Sequence, residues 1–149
     1  CFVLSCAAAL ALWFAAGASA LAANKEGHAL SQAWLANGQA LMQAGKHDAA
    51  RTALERAIVA DPGNALALAW LGVNSQKLGE AEASAKYFRI ALEVDPDDQG
   101  VLLLTGKAEV AGGEMAKAKE KLARLQRLCG MNCRETRELE QAILATASK

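Results

Sequence analysis

Apolar and small residues along this chain recur at helical spacing, and the pattern repeats 34 positions further on. Gly38 maps onto Gly72, Gly45 onto Gly79, Ala57 onto Ala91, and Asp61-Pro62 onto Asp95-Pro96. A first unit from Ser31 carries Trp34, Gly38, Leu41, Gly45, Ala50, Leu54, Ala57 and Pro62. Trp34, Leu41 and Leu54 fill the space between two helices, while Gly38 and Ala50 let those helices approach closely. Pro62 stops the second helix, and Asn64 is placed to cap the next. A second unit from Ala65 carries Leu68, Leu71, Gly72, Gly79, Phe88, Ala91, Leu92 and Pro96 at the equivalent places. A third, from Gln99, keeps Leu102, Gly106, Gly113, Ala118, Leu122 and Leu125. In that unit Thr105 and Glu109 replace large apolar residues, and Gly130 stands where the proline is expected. Gly112-Gly113 still breaks the helical pattern at the phase of Gly45 and Gly79. The spacing predicts seven helices, at about 30–44, 47–60, 65–78, 81–94, 98–111, 115–129 and 133–147, and no strand. The last is charged and amphipathic, with Leu139, Ile143 and Leu144 on its apolar side and Asn132 and Glu135 spaced as a capping box.

With these residues at these offsets, the two complete units over about 31–98 resemble the tetratricopeptide repeat. The resemblance implies an all-α fold: a right-handed superhelical solenoid of about three helix-turn-helix units, at 31–64, 65–98 and 99–132. A capping helix at 133–147 completes a domain spanning 31–149, since a solenoid end needs a polar-faced cover. The resemblance also implies that the first helix of each pair lines a concave groove in which a partner lies. The family's groove positions fall here on Gln32, Leu35, Gln39 and Met42, then Leu66, Ala69, Val73 and Gln76, then Gly100, Leu103, Lys107 and Val110. That lining is mostly apolar and amide-bearing, which suits an amphipathic helix or an extended apolar segment of a protein or peptide partner. A subtype of the family grips a chain-terminal carboxylate with Lys, Asn and Arg. This chain departs from it, with Leu35, Gln39, Trp70, Gly100 and Leu104 at the matching places. Leu35, Val73 and Leu103 are also readable as core residues of a short array, and Trp34 and Trp70 as core packing.

The first charged residue is Lys25. The uncharged stretch 1–23 is rich in Ala, Leu, Phe and Val and ends in Ala18-Ser19-Ala20, which reads as a secretory signal peptide cut after Ala20. The competing reading is an uncleaved membrane tether through residues 2–23, since roughly 20 apolar residues span a bilayer. Both place the rest of the chain outside the cytoplasm, in the periplasm or beyond, with 24–30 as a linker to the first helix or, over 24–29, the start of that helix. Over the 149 residues, 16 basic and 16 acidic side chains cancel, so no general attraction to phosphate exists and nucleic acid is an unfavoured partner.

Once a signal segment is removed, Cys129 and Cys133 are the only cysteines, at a predicted helix–helix junction. In an exported protein their default is a disulfide, and Gly130 and Asn132 permit the turn it needs. Two alternatives stay open: a thiol-redox pair, and a soft-metal site for Cu(I) with the thioether of Met131. His28 and His47 have no partner motif, and no Gly-rich elbow, His-x-x-His spacing or phosphate loop is present. The sequence therefore points to a non-enzymatic adaptor of the bacterial cell envelope, with no cofactor and no resident metal. The rival reading is a periplasmic thiol-redox or copper-handling protein built on Cys129 and Cys133.

Overall fold

The computed structural model describes the backbone of residues 5–147 and the side chains of residues 24–146. Seven α-helices follow one another: α1 Ser5–Gln43, α2 His47–Ala60, α3 Ala65–Lys77, α4 Ala81–Val94, α5 Gln99–Ala111, α6 Met115–Cys129 and α7 Arg134–Ala147. No strand occurs among the described residues. The helices stack as the pairs α1–α2, α3–α4 and α5–α6, with α7 packed on α5 and α6.

Each pair turns on the same device. Gly45, Gly79 and Gly113 have φ of 71°, 78° and 78°, the left-handed region where a side chain is disfavoured. Each donates its N–H to a carbonyl three residues back, and the next residue reaches a carbonyl five back: Lys46 to Leu41, Glu80 to Ser75 and Glu114 to Glu109, at 2.9, 2.9 and 2.8 Å. These paired hydrogen bonds satisfy carbonyls in the last turn of each first helix. Between pairs, the Asn64 side chain accepts from Ala67 N at 3.0 Å, and Asp98 from Val101 N at 2.8 Å, capping α3 and α5.

Of the two readings of the segment before residue 30, a linker or the start of the first helix, the second is the one the backbone takes: α1 runs through 24–30 without interruption. The segment contains no proline, and Gly27 meets a steric need. A Cβ built there would lie 2.8 Å from the Ala60 carbonyl oxygen, so glycine lets α1 close on the end of α2. His28 Nδ1 lies 2.8 Å from Asp61 Oδ2, and the Ser31 hydroxyl donates to Ala57 O at 2.7 Å. These contacts reward continued helix. The signal-peptide and tether readings of 1–23 concern side chains outside the described residues. Among those described, no helix is long and apolar enough to cross a membrane.

The core is three linked clusters. Leu35, Leu54, Ala57, Ala67 and Leu71 join repeat 1 to repeat 2, with Trp34 and Trp70 packed against them. Ala65, Leu68, Ala69, Phe88, Ala91 and Val101 form the next. Leu102, Leu103, Val110, Ala118, Leu125, Leu139 and Ile143 form the last, to which α7 contributes two side chains. Ile58 and Tyr87 pack on the first two clusters and Leu92 on the second and third, so the core is continuous along the stack.

Candidate functional site

The groove positions divide in two. Leu35, Ala69, Leu103 and Val110 are buried, at 3%, 0%, 7% and 8% exposure. They sit in the core clusters and present little surface to a partner; for Leu35 and Leu103 this is the alternative core reading. For Leu103 and Val110 the cause is α7, which lies against α5 and shares their cluster through Leu139 and Ile143. Lys107, the one cation of the set, is also taken by α7, with its Nζ 2.7 Å from Glu138 Oε2. Gln32 and Gln76 are exposed, and Gln39, Met42 and Val73 are half-buried. Leu66 is half-buried as well, so the surface left on the first helices of repeats 1 and 2 is amide-bearing with three apolar side chains, Met42, Leu66 and Val73. Trp34 and Trp70 pack on the first core cluster, and the Arg56 guanidinium stands 4.7 Å over the Trp34 ring.

At the α6–α7 junction Cys129 and Cys133 come together, with Cα atoms 5.8 Å apart, a separation that suits a disulfide. Gly130, at φ 86°, makes the turn between them. The buried Thr136 hydroxyl donates to Gly130 O at 2.9 Å and lies 3.0 Å from Cys133 Sγ, fixing the start of α7 against the end of α6. Glu135 does not complete the expected capping box. It accepts from Arg134 at 2.8 and 3.1 Å, and this hydrogen bonding holds its carboxyl below the usual range. The donor atoms of Cys129, Cys133 and Glu135 lie within 4.8 Å of one another, so these three residues would be the ones to hold a metal were the two sulfurs free thiolates; the third donor is a hard carboxylate, and Met131 is exposed.

The two junctions between repeats are built differently, which sequence reading missed. Between repeats 1 and 2, Asn74 Nδ2 donates to His47 O at 3.1 Å and Asn74 Oδ1 lies 3.2 Å from His47 Nδ1. Beside them Arg51 donates to both oxygens of Glu80, at 2.7 and 2.6 Å. This contact, in which one guanidinium nitrogen is shared between the two carboxylate oxygens, holds the Glu80 carboxyl below its ordinary range and raises Arg51. One period on, His47, Arg51 and Asn74 become Ala81, Ala85 and Ala108, while Glu80 is kept as Glu114. Glu114 turns instead to Lys117. The space that the missing side chains vacate is a cavity of about 640 Å³ lined by α4, α5 and α6 together with Gln76 of α3 and the Gly79 turn. The 34-residue offset that aligned the glycines would have exposed this truncation had the polar positions been compared too.

A family model for the tetratricopeptide repeat matches residues 35–73 and 76–130, more than half of the chain. The chain belongs to the tetratricopeptide-repeat family. Its similarity to solved tetratricopeptide-repeat domains lies in the fold. The first such domain of Spaghetti (RPAP3), bound to an HSP90 peptide, superposes with a TM-score of 0.65 at 20% identity, over 80% of this chain and 98% of that one. The Arabidopsis OM64 domain gives 0.62 at 15%, over 80% and 98%. The second domain of human RPAP3, in complex with an HSP70 peptide, gives 0.59 at 22%, over 80% and 97%. No curated protein matches the sequence of this tetratricopeptide-repeat chain.

Proposed function

We propose that this chain is a non-catalytic adaptor of the bacterial cell envelope that holds a segment of a protein partner against the first helices of repeats 1 and 2. The observation that carries this reading is that Gln32, Gln39, Met42, Val73 and Gln76 keep exposed or half-exposed side chains there, whereas the corresponding face of repeat 3 is engaged by α7. Amide side chains donate and accept, matching the main chain of an extended segment, and Met42 and Val73 offer apolar anchors. Two structural neighbours carry short peptides, which supports peptide holding as the task of the fold. Replacing Met42 and Val73 together by glutamate is expected to reduce partner capture from an envelope extract about tenfold or more while far-UV circular dichroism stays unchanged. Undiminished capture by a folded double variant would sink the assignment.

The same reading makes Cys129–Cys133 a structural disulfide formed outside the cytoplasm. The apolar, uncharged stretch 1–23 and the junction geometry support it. Thiol titration of protein taken from the oxidising compartment is expected to find neither sulfur of this pair free. A pair that cycles readily with mild reductant, or that retains copper, would favour the redox or metal-handling reading instead.

A further inference from the structure

Four side chains shrink together where repeat 2 meets repeat 3. His47, Arg51, Asn74 and Leu78 of the earlier junction become Ala81, Ala85, Ala108 and Gly112 one period on, and all four of these line the cavity of about 640 Å³. Ala81 and Ala85 form a wall on α4, with Phe88 and Leu92 further along the same helix, and Ala108 and Gly112 form another at the end of α5. The backbone is not what differs. Leu78 and Gly112 both stand at the C-cap of their helices in the right-handed region, with φ of −84° and −81°. The cavity therefore comes from side-chain loss, and its size lies in the range of pockets that take a ligand.

The charges around the pocket narrow what fits. Every charged residue of the lining is already held by an opposite charge: Arg89 by Glu93 at 2.7 Å, Glu109 by Lys121 at 3.0 Å, and Glu114 by Lys117. The Thr105 hydroxyl and Glu109 Oε2 are buried and closed off from it. A charged occupant finds no free counter-charge and bears its own desolvation cost, whereas an apolar one needs no partner. At the earlier junction the equivalent positions carry two flat groups, the His47 imidazole and the Arg51 guanidinium. Walls of alanine and glycine leave room for a flat group here too, and without a counter-charge the one that suits is an aromatic ring. Gln76 joins the pocket to the groove. It is a groove position of α3 and part of the lining, three residues and about 4.5 Å along the helix from Val73. A segment lying on α3 thus passes the pocket within one helical turn of Val73. We propose that the pocket takes a phenylalanine or tryptophan side chain of that same partner segment. The inference rests on the groove reading above and adds the residue by which the segment is anchored.

An amide-resonance NMR titration of the full chain with N-acetyltryptophan amide tests the pocket without needing the partner. N-acetylalanine amide and N-acetylarginine amide serve as the ringless and the charged control. The expected result is saturable shifts at Gln76, Ala85, Ala108 and Gly112, with both controls binding about tenfold weaker or worse. Gly112→Leu restores the side chain of the earlier junction on a backbone that already suits it, and Ala85→Phe supplies a ring from the chain itself. Each is expected to abolish the response and to lower partner capture about tenfold. Should one of them fail to fold, the other and the probe series decide. Met42→Glu with Val73→Glu leaves the pocket lining untouched, so it is expected to lose capture while keeping the full probe response. Undiminished capture by that double variant sinks the groove reading, whereas the pocket stands or falls on the probes. Four outcomes overturn the proposal: no saturable shift with the tryptophan probe, equal shifts with a control, shifts that survive in a folded filled variant, or capture undiminished by the filled variants.

Discussion

Leu54→Ala is expected to lower the unfolding free energy by about 2–5 kcal/mol, a large part of what holds a domain of this size folded. Leu54 is wholly buried and sits at the centre of the cluster that joins repeat 1 to repeat 2. It packs against Gly38, where a Cβ would lie 2.7 Å from its Cδ2 and Cγ atoms. Glycine has no side chain to swing into the void, so the cavity left by truncation relaxes little and the cost falls toward the upper part of the range. The same geometry supplies an internal check. Gly38→Ala alone is expected to destabilise the chain, because the new methyl meets the branch point of Leu54 rather than a flexible tip. In the Leu54→Ala background the methyl enters the void, and α1 gains about 1 kcal/mol of helix propensity, so the second substitution becomes neutral or stabilising. Urea midpoints of the four chains measure the cycle. Additive effects would mean that Gly38 and Leu54 do not meet as described.

That contact is legible in the repeat pattern itself. Gly38 and Gly72 recur one period apart, and each faces a large side chain of the second helix of its own pair, Leu54 and Phe88. Gly45, Gly79 and Gly113 are equally plain, because a left-handed turn demands glycine wherever it occurs. What the sequence could not carry were features settled by distant packing. Gly27 looks like a helix breaker until the Ala60 carbonyl beside it is seen. Leu103 and Val110 look like groove lining until α7 lies over them, because helical spacing says which face a residue is on and nothing of what covers that face. In the third repeat Gly106 faces Leu139 of α7, so even the repeated glycine changes its partner where the array ends. Thr105 and Glu109 were visible as departures from the apolar pattern, but their surroundings depended on the loss of the His47 and Arg51 equivalents on α4 and of the Asn74 equivalent on α5 itself. A polar residue at a core position is informative only together with the groups it has lost.

Ending the chain after Gly130 is expected to abolish soluble monomer, and the size of that effect separates two ways in which α7 is held. Leu139 and Ile143 are buried in the last cluster, and each buried aliphatic side chain contributes about 1.5–3 kcal/mol. Their removal also uncovers Leu102, Leu103, Val110 and Leu125 together, an apolar patch of the kind that drives association. Lys107 loses Glu138, and Cys129 loses both Cys133 and the Thr136 hydroxyl near it. By contrast, a disulfide closing the short loop from Cys129 to Cys133 contributes only ~2 kcal/mol by chain entropy. Cys129→Ser with Cys133→Ser should therefore leave a folded monomer whose melting temperature is a few degrees lower, since the apolar side of α7 still docks. Size-exclusion chromatography and thermal melts of the two chains give the comparison. If the truncated chain stayed monomeric at the parent melting temperature, α7 would not be a cap, and the buried state of Leu103 and Val110 would need another cause. If loss of the two cysteines were as damaging as loss of the helix, the sulfur link rather than the Leu139 and Ile143 contacts would be what holds α7 in place.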